Sequence, residues 1–358
     1  MNIIAAILVF GLIVLVHEFG HFLLAKLNGV GVVEFSIGMG PRLWSIEKGE
    51  TRYSLKCLPF GGSCMMVGED EDDGGKNPKA FNNKSVWARI SVIAAGPIFN
   101  LILAFGFAMV FITMAGYDAP LVYEVVEGSP AAESGLQSGD ILTEINGTPV
   151  ATYRDVDLYL VGHRGETWDM NYIRSNSGSY EDWSQGYTEG TVSVTPEYSE
   201  ADGAYMMGIR FGMLRQKTEG LGELLRYSAY EIRYCLRSTV ESLRLIFQRK
   251  IEVESAVAGP VRIVAMIGDN VAESREYGWE SVVLSLSYWC ILMSASLGIM
   301  NLLPIPALDG GRLLFLIIEV IRRKPMDQEK EGMVHMAGMA LLMSLMVLVL
   351  FNDIMSFF

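Results

Sequence analysis

Four long apolar runs stand out along the chain, at Ile3–Leu27, Ile90–Tyr117, Ser281–Leu308 and Met333–Phe351. Each is close to or beyond the roughly 20 residues that an α-helix needs to cross a bilayer, so the pattern predicts four transmembrane helices. The first run is interrupted only by His17-Glu18-Phe19-Gly20-His21, the second is uncharged, and the third is uncharged up to Asp309. The first run is expected to stay in place rather than be cleaved as a leader, because no Lys or Arg precedes it and no small-residue cleavage site follows it.

Positive charge near the helix ends sets the orientation. The segment between the first two runs carries Lys26, Arg42, Lys48, Arg52, Lys56, Lys76, Lys79, Lys84 and Arg89, and the short loop after the third carries Arg322, Arg323, Lys324 and Lys330. Both are expected on the cytoplasmic side, which puts both termini and the acidic segment from Asp118 to about Glu280 outside. The organisation that follows has four parts. Residues 1–117 hold the first two spans, 118–218 a compact outer domain, 219–280 amphipathic connecting helices, and 281–358 the last two spans.

The outer domain opens with Ser129-Pro130-Ala131-Ala132-Glu133-Ser134-Gly135-Leu136-Gln137-Ser138-Gly139-Asp140-Ile141-Leu142, followed by Glu144-Ile145-Asn146-Gly147. Asn146-Gly147 is a strong hairpin signal. Strands are expected at Trp168–Arg174, Thr191–Thr195 and Met207–Phe211, and a helix over Tyr153–Val161. This arrangement resembles a PDZ domain of the bacterial protease type. From Leu221 to Phe247, apolar positions and a stripe of Arg226, Arg233, Arg237 and Arg244 predict an amphipathic helix that either packs on the domain or lies at the membrane surface.

A net charge of −13 and a pI near 4.9 argue against nucleic-acid binding. The scattered cysteines Cys57, Cys64, Cys235 and Cys290 imply neither a disulfide framework nor a cysteine zinc site. Glu69 to Gly75 fails the calcium-loop spacing and reads as a solvated loop. Met333, Met336, Met339, Met343 and Met346 read as packing.

His17 and His21 are four apart on a predicted helix, so both imidazoles leave one face. With Glu18 they form H-E-x-x-H, in which two histidines hold a metal and the glutamate activates water. Ionisable groups inside a membrane span point to function by default; the plainer alternative is a polar contact between helices. A catalytic zinc takes a third protein ligand. His163 lies on the far side of the membrane and His335 opens the fourth span. Asp309, in Asn301-Leu302-Leu303-Pro304-Ile305-Pro306-Ala307-Leu308-Asp309-Gly310-Gly311, is the best placed. Its prolines and glycines break the helix, freeing backbone groups that only a protein-lined cavity satisfies at membrane depth; the plainer alternative is a helix-ending aspartate followed by turn glycines, Gly310 and Gly311.

The chain resembles the site-2 proteases, zinc intramembrane metalloproteases, in their bacterial RseP-type branch with a single PDZ domain. The likeness rests on Val16 to His21, Phe60-Gly61-Gly62, Phe81-Asn82-Asn83-Lys84-Ser85, Ala94 to Asn100, the PDZ signature, Ala258-Gly259-Pro260-Val261 and Asn301 to Gly311. It implies a polytopic α-helical membrane protein with one inserted extracytoplasmic α+β PDZ domain and a short membrane-embedded β-loop, Leu58 to Val67. It also implies Zn2+ held by His17, His21 and Asp309, with Glu18 as general base. Asn100, Asn301, Gly61 and Gly62 are similar to residues that hold substrate. For the asparagines a helix–helix hydrogen bond is the alternative, and for the glycine loop a plain cytoplasmic hairpin.

The implied function is intramembrane proteolysis in the bacterial inner membrane, with the active site toward the cytoplasm. Substrates would be pre-trimmed membrane-spanning proteins such as anti-sigma factors or leftover signal peptides, and a PDZ groove could take peptide C-termini. The rival from another class is a non-catalytic membrane adaptor that binds peptides through its PDZ module.

Overall fold

The structure is a computed structural model that describes residues 2–69, 77–163, 165–180, 182–200, 203–211, 215–248, 259–324 and 326–355. The acidic run Asp70–Gly75 and Ala258, singled out above, lie outside the described residues. The chain forms two compact units, Met1–Ala108 with Ser242–Phe358, and Met109–Glu241.

The first unit begins with α1 (Asn2–Leu27), apolar almost throughout, and continues into two long strands, β1 (Val32–Lys48) and β2 (Thr51–Met66). Both strands bend, at Gly38, Gly40 and Gly61, all of which hold positive φ. The bends fold the hairpin into a small sheet in which Glu34–Ile37 lies between Arg52–Leu55 on one side and Gly62–Met65 on the other. The buried Glu34 is satisfied by Arg42 at 2.7 Å, Ser54 at 2.6 Å and Lys56 at 3.3 Å. The Arg42 guanidinium holds its carboxyl down at about 2. The expected Leu58–Val67 loop is therefore only the last part of a hairpin that begins at Val32. Charged side chains at Glu34, Arg42 and Lys56 mask the strand pattern. Next comes α2 (Val86–Ala115), which reaches into the second unit.

The second unit contains β3 (Tyr117–Asp118), β4 (Val122–Val125), α3 (Pro130–Glu133), β5 (Ile141–Ile145), β6 (Thr148–Pro149), α4 (Tyr153–Gly162), β7 (Trp168–Ser175) and β8 (Tyr187–Val194). Three short strands follow, β9 (Glu197–Ser199), β10 (Ala204–Met206) and β11 (Ile209–Phe211), and then β12 (Arg215–Gln216). An antiparallel sheet in the order β6-β5-β7-β8 covers a core that includes Val122, Leu142, Ile145, Trp168 and Met170. Asn146 and Gly147 have φ of 46° and 77°, the left-handed pair that a two-residue hairpin requires. Asp140, fully buried, accepts from Arg174 at 2.6 and 2.7 Å and from the Gln137 amide at 2.8 Å, which locks the turn into β5.

The predicted amphipathic helix is α5 (Leu221–Phe247). Its arginine face docks on α4: Arg154 pairs with Glu231, and Arg233 reaches Asp155 at 3.2 Å. Of the two positions left open for this helix, packing on the domain is the one observed up to Glu241.

The first unit resumes with α6 (Pro260–Glu276), α7 (Trp279–Leu302), α8 (Asp309–Arg322) and α9 (Gln328–Met355). Asp353 of α9 caps α6 by accepting from the Gly259 and Arg262 amides at 3.1 Å each. A Cβ on Gly259 would lie 2.3 Å from that carboxylate, which explains a glycine before Pro260. The helices α1, α2, α7 and α9 are long and apolar enough to cross a membrane.

Two boundaries beside Asp309 differ from expectation. The third apolar run stops being helical at Leu302, not Leu308, because Pro304 and Pro306 cannot continue a helix. The expected short loop after Asp309 is the helix α8. Gly310 and Gly311 read as turn residues but sit inside its first turn. A Cβ on them would lie 2.1 Å from Leu303 O and 2.5 Å from Ile305 O, so glycine is required by packing rather than by a turn.

Candidate metal centre

Helical spacing on α1 brings His17 and His21 to the same face, with their Nε2 atoms 3.2 Å apart. The proline-rich break after α7 lets the chain reverse, so that Asp309 opens α8 beside them. Its Oδ2 is 3.1 Å from His17 Nε2 and 3.4 Å from His21 Nε2. Both histidines are buried.

The helix α2 holds the histidines from the other side. Two glycines allow the approach: a Cβ on Gly20 would lie 2.6 Å from Ala95 O, and one on Gly96 would lie 2.3 Å from His21 Nε2. His21 Nδ1–H donates to the Val92 carbonyl at 2.9 Å. His17 Nδ1 lies 3.1 Å from the side-chain amide of Asn100, which is fully buried. The two ends of an amide exchange by a half-turn, so Asn100 can accept the Nδ1 proton of His17. With both Nδ1 positions tied up, both Nε2 lone pairs face Asp309. Metal-binding histidines are oriented by this kind of outer contact.

Three lone-pair atoms therefore converge in a buried site, an arrangement that repels itself unless a cation or protons lie among them. Asp309 Oδ2 is buried without a hydrogen-bond partner among the described residues. The ligand atoms of a tetrahedral zinc, with bonds of about 2.0–2.1 Å, lie about 3.3 Å apart. The observed separations of 3.1, 3.2 and 3.4 Å fit that spacing. No other group of three such side chains within ligand range occurs among the described residues.

Glu18 contributes no atom to this cluster. It lies beside it, against the last segment of β2. A Cβ on Gly62 would lie 2.9 Å from Glu18 Cγ, so glycine at 62 lets the strand reach the glutamate. Gly61 provides the bend just before it, packed on Met39.

The remaining predicted residues are not gathered in. Asn301, near the end of α7, is half-buried, and its side chain has no hydrogen bond to another described residue. His163 bonds to Tyr159 in its own helix at 3.1 Å. His335 accepts from the Ala307 amide at 2.9 Å and is not part of the cluster of His17, His21 and Asp309. Neither is a third ligand. Gly20 and Gly96 stand within the motifs that carry the resemblance, but their role at the site, like that of Val92, is not legible in sequence, because only the crossing of two helices creates it.

A polytopic helical protein with H-E-x-x-H on one membrane-length helix and a carboxylate brought back to it belongs to the class of membrane metallopeptidases. The chain is a member of peptidase family M50, whose family model matches residues 5–345. A zinc metalloprotease candidate of Clostridium acetobutylicum is 36% identical over 353 residues, covering 99% of this chain and 97% of the relative. The zinc metalloprotease RasP of Bacillus licheniformis is 32% identical over 438 aligned residues, covering 100% and 99%. The regulator of sigma-W protease RasP of Bacillus subtilis is 30% identical over 438, covering 100% and 99%.

Proposed function

We propose that this M50 peptidase is a zinc-dependent intramembrane endopeptidase that cuts the transmembrane segments of pre-trimmed single-pass proteins, anti-sigma factors or leftover signal peptides among them. The observation that carries this reading is the convergence of His17, His21 and Asp309 at zinc-ligand spacing on membrane-length helices, with Glu18 alongside but outside the cluster. The name of the Bacillus subtilis relative, a regulator of sigma-W, favours the anti-sigma class. The rival reading, a peptide-binding adaptor without catalysis, gives no reason for Asn100 and Val92 to orient two unused histidines.

His17, His21 and Asp309 would hold the metal. When bound, zinc supplies a Lewis acid for the attacking water and the scissile carbonyl. Glu18 takes a proton from the water and delivers it to the leaving nitrogen. Asn100, fully buried against His17, serves the orientation of that ligand better than it serves a hold on substrate. Asn301, half-buried and unengaged, remains suited to a substrate amide.

Peptide hydrolysis needs an extended backbone, so a substrate helix must unwind. Gly62–Met65 has a strand neighbour on one side only among the described residues and runs past Glu18. An unwound substrate would add to this edge as a further strand. Within the proposed topology, the hairpin dips into the cytoplasmic side of the inner membrane, and the PDZ-like unit and both termini are outside.

The test is cleavage of a single-pass substrate by the purified protein in detergent, with the cut mapped by mass spectrometry. A cut inside the transmembrane segment that a zinc chelator abolishes is expected; a cut only in soluble flanks contradicts the proposal. Gly96→Ala should lower zinc affinity at least as much as the roughly 10–100-fold typical of lost supporting contacts, since its methyl group would press on His21 Nε2. Metal titration of the folded variant checks this, and unchanged affinity would contradict the close crossing of α1 and α2.

The outer domain, which we read as a PDZ module, would act as a filter that excludes bulky substrates. The paired strands β3 and β12 bring its two ends together, so residues 121–215 can be replaced by a short linker. That deletion should speed cleavage of full-length substrates and leave trimmed ones unaffected. Slower cleavage of trimmed substrates would instead make the domain a docking site for their new C-termini.

A further inference from the structure

The segment that delivers Asp309 contains a backbone conformation that its own residues disfavour. Ile305-Pro306-Ala307-Leu308 closes a turn through Leu308 N–H to Ile305 O at 3.2 Å. Ala307 has φ +76°, which together with Pro306 before it matches a type II turn. Such turns call for glycine at the position Ala307 occupies, because a Cβ is strained in the left-handed region. Something outside the turn must hold it.

The helix α9 supplies two contacts from one face, His335 and Gly338. A Cβ on Gly338 would lie 2.4 Å from Pro306 Cβ and 2.8 Å from its carbonyl, so glycine there lets the helix press directly on the turn. His335 Nδ1 accepts from the Ala307 N–H at 2.9 Å. In a type II turn that amide points away from the turn's own carbonyls and has no backbone partner. Accepting at Nδ1 leaves the imidazole proton on Nε2, 3.9 Å from Glu331 Oε1.

We propose that His335 is a positioning residue for Asp309: its bond to Ala307 N–H holds the strained turn that aims the Asp309 carboxylate at His17 and His21. The inference rests on the metal-centre reading for its consequence, zinc affinity, while the clamp itself can be measured on metal-free protein. It also gives α9 a task, since that helix contributes no atom to the metal cluster.

The experiment compares His335→Ala, His335→Asn, Ala307→Gly and the double variant His335→Ala with Ala307→Gly in the full chain. Zinc affinity is measured by chelator competition, and hydrogen exchange of the 303–309 segment is followed in metal-free protein. His335→Ala should weaken zinc binding about 10–100-fold, the usual cost of a lost supporting contact, and accelerate exchange at Ala307. His335→Asn, whose oxygen occupies the place of Nδ1, should restore both. Ala307→Gly in the alanine background should recover zinc affinity, because glycine adopts the turn unaided, but not the exchange protection.

A merely structural histidine would not be bypassed by a glycine two residues from the ligand. Zinc affinity unchanged in His335→Ala, or no recovery in the double variant, overturns the proposal. If His335→Ala does not fold, His335→Asn against His335→Gln decides it, since they place the acceptor differently and only Asn should retain affinity. A wild-type chain that binds no zinc contradicts the metal reading instead, and exchange at Ala307 still decides the clamp.

Discussion

Glu18→Gln is expected to leave zinc bound at wild-type stoichiometry while lowering kcat/KM by at least the roughly 10²–10⁴-fold that general acid–base catalysis contributes. The amide matches the carboxylate in size, so the close approach of Gly62 persists. It cannot accept a proton from water or carry one to the leaving nitrogen. The metal stays because the atoms at ligand spacing belong to His17, His21 and Asp309. Metal analysis and single-turnover cleavage on one preparation check both halves. A variant that folds but has lost its zinc would make Glu18 a ligand rather than a base.

Asp309→Asn should do the reverse. The neutral amide keeps the shape of the side chain but loses the charge that two neutral imidazoles cannot replace, so zinc affinity falls by more than the roughly 10–100-fold associated with supporting contacts. Cleavage should then recover in part as zinc is raised. Recovery at high zinc separates a weakened ligand from a lost catalytic group, because Glu18→Gln gains nothing from added metal. Full zinc retention by Asp309→Asn would remove the aspartate from the ligand set.

The features legible in the sequence were those carried by local spacing. Four apolar runs and the i, i+4 histidines are properties of single helices, and Asn146-Gly147 is a property of one turn. Asp309 was legible as a candidate because its carboxylate follows a proline break at the end of an uncharged run. What stayed hidden depends on contacts between distant segments. Gly20 and Gly96 look like ordinary small residues until α1 and α2 are seen to cross at them. Gly310 and Gly311 suggest a chain turn, yet α8 runs through them because the preceding loop folds back on its first turn. The start of the hairpin at Val32 is hidden in the sequence because its buried Glu34 is neutralised by Arg42 and Lys56, pairings that no alternation rule anticipates. His335 is a ligand candidate by residue type alone, whereas the structure gives it a backbone amide to hold.

In the proposed function, His17, His21 and Asp309 together hold one zinc ion. Zinc-edge X-ray absorption on the purified, catalytically silent Glu18→Gln protein reads that ligand set out. One zinc per chain is expected, with two imidazole nitrogens at about 2.0–2.1 Å, oxygen at about 2.0–2.2 Å and no sulfur. Replacing Asp309 should change the oxygen shell while the imidazole signature persists. Sulfur at about 2.3 Å, or a shell with a single imidazole, would contradict the site described here.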